Sequence, residues 1–121
     1  MVGSRESVAP VDLDESALEE MCDGDEAFER DLLETFLDCQ EDAMAQLEAS
    51  KSSRDYEAIR KLAHFTKGGA RSIGAKRLGM LAEELEYAMN GDCHEQVDEL
   101  VSQVESAYVR LKTIIENRGT I

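Results

Sequence analysis

Apolar residues recur along this chain at intervals of three and four, from about residue 17 to residue 114. That is the period of helices turning one face to a shared interior. A short first helix is predicted from Asp14, an N-cap candidate, with Ala17, Leu18 and Met21 buried. Asp23-Gly24-Asp25 breaks it: Gly24 can take the left-handed C-cap conformation, and Asp25 can cap the helix that follows. The second helix, about 26–49, carries Phe28, Leu32, Phe36, Cys39, Ala43 and Leu47, and Ser50-Lys51-Ser52-Ser53 ends it. The third, about 54–71, carries the stripe Tyr56, Ile59, Leu62, Ala63, Thr66, Ala70 and Ile73, with Gly74 marking the turn. The fourth buries Leu78, Leu81, Leu85 and Ala88 and stops at Asn90-Gly91. The fifth opens on Asp92-Cys93-His94-Glu95, a capping-box-like run, and continues through Val97, Leu100, Val101, Val104, Ala107, Leu111 and Ile114. No hairpin dipeptide separates alternating runs, so strands are not expected. The pattern predicts an all-α protein: an up-and-down four-helix bundle with a short extra N-terminal helix over 12–118, after a disordered lead over 1–11.

Length and composition agree with that picture and remove several functions. The 121 residues, 42% hydrophobic with a single proline at position 10, suffice for one domain with one core. A formal charge of −14 repels phosphate backbones and anionic lipid, which excludes nucleic-acid and membrane-surface binding. No stretch is apolar enough over roughly 18 residues to span a bilayer, and the start has no leader-like apolar run, so a soluble, cytoplasmic protein is expected. Cys22, Cys39 and Cys93 form no CxxC pair and read as reduced thiols. Cys93 and His94 are adjacent, and neighbouring helix positions point apart, so no metal site is expected.

Charge is distributed unevenly. None of the 27 acidic residues falls between Ala58 and Ala82, whereas six of the 13 basic ones do: Arg60, Lys61, Lys67, Arg71, Lys76 and Arg77. A solvated basic face is the ordinary reading of such a run. On a helical wheel with Leu62 and Thr66 facing the core, however, His64 points about 200° from Leu62, to the outside. Arg60, Lys67, Gly68 and Arg71 share its face at i−4, i+3, i+4 and i+7. Those cations favour a neutral, nucleophilic ring and can neutralise a phosphoryl group attached to it. Gly68 and Gly69 each cost a helix interior about 1 kcal/mol relative to Ala, which points to close approach by another surface.

The stretch Ala63-His64-Phe65-Thr66-Lys67-Gly68-Gly69-Ala70, followed by Gly74-Ala75 and Leu78, resembles the histidine-phosphotransfer (HPt) domain family. Two positions depart from the family pattern: Thr66 stands where a large hydrophobe is usual, and Gly69 where a Ser is common. The resemblance, which extends over about 12–117, implies a four-helix bundle relaying phosphoryl groups between aspartates of receiver domains. It implies that His64 is the phosphoaccepting residue and Lys67 the phosphate-contacting cation; Arg60 and Arg71, which share the face of His64 on the wheel, are expected to stabilise the phosphate with it. Gly68 would give clearance, and Phe28, Phe65 and Gly69 would join it in a docking surface, although either phenylalanine fits the core equally well.

Other motifs fail. The run from Gly69 to Lys76 approaches a P-loop, but Ala75 separates Gly74 from Lys76, Arg77 replaces the Ser/Thr, and no strand precedes it. A sensor-kinase phosphoacceptor helix would place an acidic residue after the histidine, where this chain has Phe65. His64 therefore lacks its own catalytic base, and the partner is expected to supply both Mg2+ and in-line geometry. No cofactor and no metal ion are expected on this chain. Two alternatives stand beside the phosphocarrier: a non-phosphorylated helical adaptor, and the phosphoacceptor domain of a larger chemotaxis-type kinase. The chain ends without linker-like composition, so a complete protein, acting as a monomer, is expected.

Overall fold

In the computed structural model, residues 10–91 and 94–118 are described. Aspartates start three of its helices. Asp14 accepts the Ala17 N–H at 3.1 Å, Asp25 the Phe28 N–H at 3.0 Å and Asp55 the Ala58 N–H at 3.1 Å. Each bond satisfies an amide that the helix itself leaves unpaired. The helices are α1 (Glu15–Met21), α2 (Glu26–Ser53), α3 (Tyr56–Ile73), α4 (Lys76–Asn90) and α5 (Val97–Arg118), the last preceded by a 3-10 turn over His94–Gln96. Among the described residues every element is helical.

The turns follow from backbone chemistry. Gly74 ends α3 with φ 81°, the left-handed region where a side chain is disfavoured, and the Ala75 N–H closes back on the Ala70 carbonyl at 2.9 Å. α2 runs on through the serine-rich segment expected to stop it, as far as Ser53. That segment holds no Gly or Pro, and Ser53 Oγ donates to the Ser50 carbonyl inside the helix. The break comes at Arg54, which takes the left-handed conformation at φ 59°.

α2, α3, α4 and α5 pack in sequence, and α5 returns to α2, which closes the up-and-down bundle. Its interior is built from Leu33, Phe36 and Leu47 of α2, Ile59, Ala63 and Ile73 of α3, Leu78 and Leu85 of α4, and Val101, Val104 and Leu111 of α5. Each large side chain so buried contributes roughly 1.5–3 kcal/mol. α1 flanks one end, with Leu18 wholly buried and the Asp14 N–H donating to the Gly74 carbonyl at 2.8 Å.

Several expected core positions are displaced by one residue, Leu32 to the more deeply buried Leu33 among them. Met21 is exposed and Cys22 buried, because α1 is only two turns long and ends there. Cys39 is exposed and Gln40 buried, because the inner face of α2 follows Phe36, Gln40, Ala43 and Leu47. Ile115 is buried more deeply than Ile114. The proposed lead over 1–11 falls, for residues 1–9, outside the described residues, as do Asp92 and Cys93 of the capping-box-like run. His94 stacks on Tyr56, ring centroids 4.1 Å apart. Among the described residues no helix is long and apolar enough to cross a membrane.

Candidate functional site

The buried stripe of α3 is Ile59, Ala63, Thr66, Ala70 and Ile73. His64 follows Ala63 by one helical step, which carries its ring out of the core and leaves the side chain 67% exposed. Nδ1 lies 2.9 Å from Oε2 of Glu86, on α4. The other oxygen of that carboxylate lies 2.8 Å from Lys67 Nζ and is closed off from solvent. Lys67 and the His64 hydrogen bond hold the Glu86 carboxyl below the usual carboxylate range, against the opposing effect of burial. A carboxylate can only accept, so the proton sits on Nδ1. In the neutral ring Nε2 then carries the free lone pair, on a side chain that is largely exposed.

Glu86 was not among the expected site residues, and with it the picture of a purely cationic surround is corrected. Arg60 pairs with Glu57 at 2.6 Å, and Arg71 with Glu83 at 3.0 Å. The segment 58–82 is free of acids in sequence but not in space, because carboxylates just beyond either end fold back onto its cations. The signal was present: His64 and Glu86 lie equally far on either side of Ala75, in the turn of an antiparallel helix pair. Arg71 and Gly79 share that symmetry and do meet, since a Cβ at Gly79 would stand 3.5 Å from Arg71 Cγ.

The two adjacent glycines do different things. Gly68 faces open space, with nothing within 4 Å of a Cβ built there, as clearance beside His64 requires. Gly69 is turned inward: its Cβ would stand 2.9 Å from Gln40 Nε2 and 3.5 Å from the Phe36 ring. Gln40 reaches this spot from α2 and accepts the Thr66 hydroxyl at 2.8 Å, and both residues are buried. The departure at Thr66 thus has a partner, and the departure at Gly69 makes room for it.

Phe65 and Phe28 are both about half exposed, so neither is a core residue. Phe65 adjoins His64. Phe28 does not: it lies in the first turn of α2, twelve residues before Gln40. Because α2 and α3 are antiparallel and Gln40 meets Thr66, that spacing puts Phe28 about 18 Å along the bundle from the Thr66 level, toward the α1 end.

The Hpt domain family matches residues 31–117. Among solved structures, the chain is similar to histidine-containing phosphotransfer protein B (HptB) from Pseudomonas aeruginosa PAO1. The two superpose with a TM-score of 0.83 at 25% identity, over 91% of this chain and 96% of that one. No curated protein matches the chain. With a family match across well over half the sequence, on the helical bundle described above, this chain belongs to the Hpt, or histidine-phosphotransfer, domain family.

Proposed function

We propose that this protein is a cytoplasmic phosphocarrier. It takes a phosphoryl group onto His64 from an aspartyl phosphate of one receiver domain and gives it to an aspartate of another. The observation that carries this reading is the tethered ring, with Nδ1 hydrogen-bonded to Glu86 at 2.9 Å on a side chain that is largely exposed. The Nε2 lone pair attacks phosphorus; the P–O bond to the donor aspartate breaks, and its electron pair leaves on that carboxylate. The Nδ1 proton stays where it is.

Lys67 is the cation for the phosphoryl oxygens. It stands one turn along from His64 and can swing from Glu86 to the incoming group. Arg60 and Arg71, on the same face, add steering. Gly68 leaves room for the partner backbone, and Phe65 offers it an apolar contact. The chain brings no ATP site of its own, and the Mg2+ that assists transfer belongs to the receiver.

The test is labelling of His64→Gln by a phosphorylated receiver domain. The variant should fold normally, since the side chain it replaces is exposed, and should take up no acid-labile phosphate. Labelling at the wild-type level refutes the assignment.

A further inference from the structure

Given that reading of His64, we propose that Glu86 keeps the Nδ1 proton on the ring while the phosphoryl group sits on Nε2. His64 can then give the group up as a neutral imidazole. Glu86 is a positioning residue in this scheme: it never touches phosphorus and acts only through the ring.

Bond accounting shows why the proton matters. Attack through Nε2 leaves a ring with phosphorus on one nitrogen and hydrogen on the other, carrying one positive charge. When the P–N bond breaks toward the next acceptor, its electron pair returns to Nε2 and the ring departs neutral. If the Nδ1 proton had gone to water meanwhile, the departing group would be an imidazolate anion, a far poorer leaving group. Whatever holds that proton therefore decides whether the phosphohistidine is a transferable or a stalled species.

Glu86 is built to hold it. Its carboxylate lies 2.9 Å from Nδ1, is anchored on its other oxygen by Lys67, and is only 14% exposed. Lys67 and the ring hold that carboxyl ionised below the ordinary range. The charged groups nearest the ring are Lys67, Lys61 and Arg60, within about one turn of it on its own helix, and Glu86 on α4; Glu83, a turn away on α4, is taken by Arg71. α2 meets the opposite side of α3 through uncharged Gln40 and Thr66, and α1 lies at its far end. When Lys67 turns to the new phosphoryl oxygens, Glu86 loses its other counter-charge and its pull on the ring proton grows. Arrival of the group thus primes its departure.

Phosphoramidate, a small phosphoryl donor, loads the full chain without requiring the natural partner. Wild type, Glu86→Gln and His64→Gln are loaded, and loss of the phosphohistidine signal to water is followed by phosphorus NMR from pH 5 to 9. The amide introduced by Glu86→Gln can still accept the Nδ1 hydrogen, but without charge. Wild type should lose its label about three- to tenfold faster than Glu86→Gln at pH 8–9, and the two should converge near pH 5, where both rings are protonated. Superimposable profiles overturn the proposal. So does a nitrogen NMR spectrum of phosphorylated wild type at pH 8 that shows Nδ1 without its proton, a measurement that needs no variant. Label on His64→Gln at the wild-type level overturns the phosphoacceptor assignment itself, and this proposal with it. Label confined to His64 together with unchanged Glu86→Gln decay overturns the proposal alone.

Discussion

Two alanine substitutions one residue apart should have opposite effects. Gly68→Ala and Gly69→Ala gain the same helix propensity, about 1 kcal/mol each. At position 68 nothing opposes the gain, because no atom lies within 4 Å of the new methyl. At position 69 the methyl stands 2.9 Å from Gln40 Nε2, so the buried amide must move. Moving it breaks the 2.8 Å bond from Thr66 and strands polar atoms where water does not reach, a loss of about 1–3 kcal/mol. Propensity cancels in the comparison, so Gly69→Ala should be less stable than Gly68→Ala by about 1–3 kcal/mol. At roughly 4 °C per kcal/mol for a domain of this size, the melting temperatures should separate by about 4–12 °C. Thermal and urea unfolding of the two variants beside wild type decides the matter. Equal stabilisation by both would show that Gln40 relaxes without loss, and that Gly69 is not required by packing.

Lys67→Ala should slow transfer from a phosphorylated receiver by roughly ten- to hundredfold, if its charge-assisted contact is made mainly in the transition state; an unchanged single-turnover rate would reduce Lys67 to a partner for Glu86. Gly68→Gln should melt at or above the wild-type temperature yet transfer much more slowly, because the long side chain stands in open space beside His64; wild-type transfer would show that partners do not approach over this face. Glu105 is pushed up to about 7, first by burial and then by the facing Glu48 carboxylate, which the hydrogen bond from Glu105 itself and then Lys51, 3.3 Å away, favour in its ionised form. A folded-state value above the ordinary one stabilises the fold below about pH 4.5, and that contribution is lost as pH rises through 7. Glu105→Gln should therefore raise the melting temperature at pH 8 and leave it nearly unchanged at pH 4; equal shifts at both pH values would refute the pairing.

Much of this was legible in the chain because it is local. Asp14, Asp25 and Gly24 announce caps and a turn from residues within one helical turn of each other, and period-3.6 stripes fix which side of α3 faces inward. That same periodicity put His64 outside, and the family pattern around it was complete enough to name. What escaped depends on contacts between helices. Glu86 lies far from His64 in sequence, on a helix whose other acids point to solvent, and only the fold-back about Ala75 singles it out. Gln40 was passed over because a polar residue beside Cys39 reads as surface, although the cysteine is the exposed one. Phe28 matched the stripe by spacing, but the inner face of α2 runs back from Phe36 through Leu33 to the level of the shielded Glu29, which leaves Phe28 one residue off it.

One detail at the start of α4 ties together parts of the chain that look independent. Ala75 caps that helix without any side-chain bond, and the Arg77 N–H donates instead to the carbonyl of Val11 at 2.9 Å. Asp12 then grips the Arg77 and Arg110 side chains at 3.0 and 2.9 Å. The helix that presents Glu86 is thus finished by a backbone group from outside the bundle, so undocking the segment at Val11 and Asp12 uncaps it. Amide hydrogens in the first turn of α4 and the hold of Val11 and Asp12 on the bundle should share one opening equilibrium, and exchange with deuterium should report them as a single cooperative unit. Fraying there would loosen the end of the very element that orients the His64 ring.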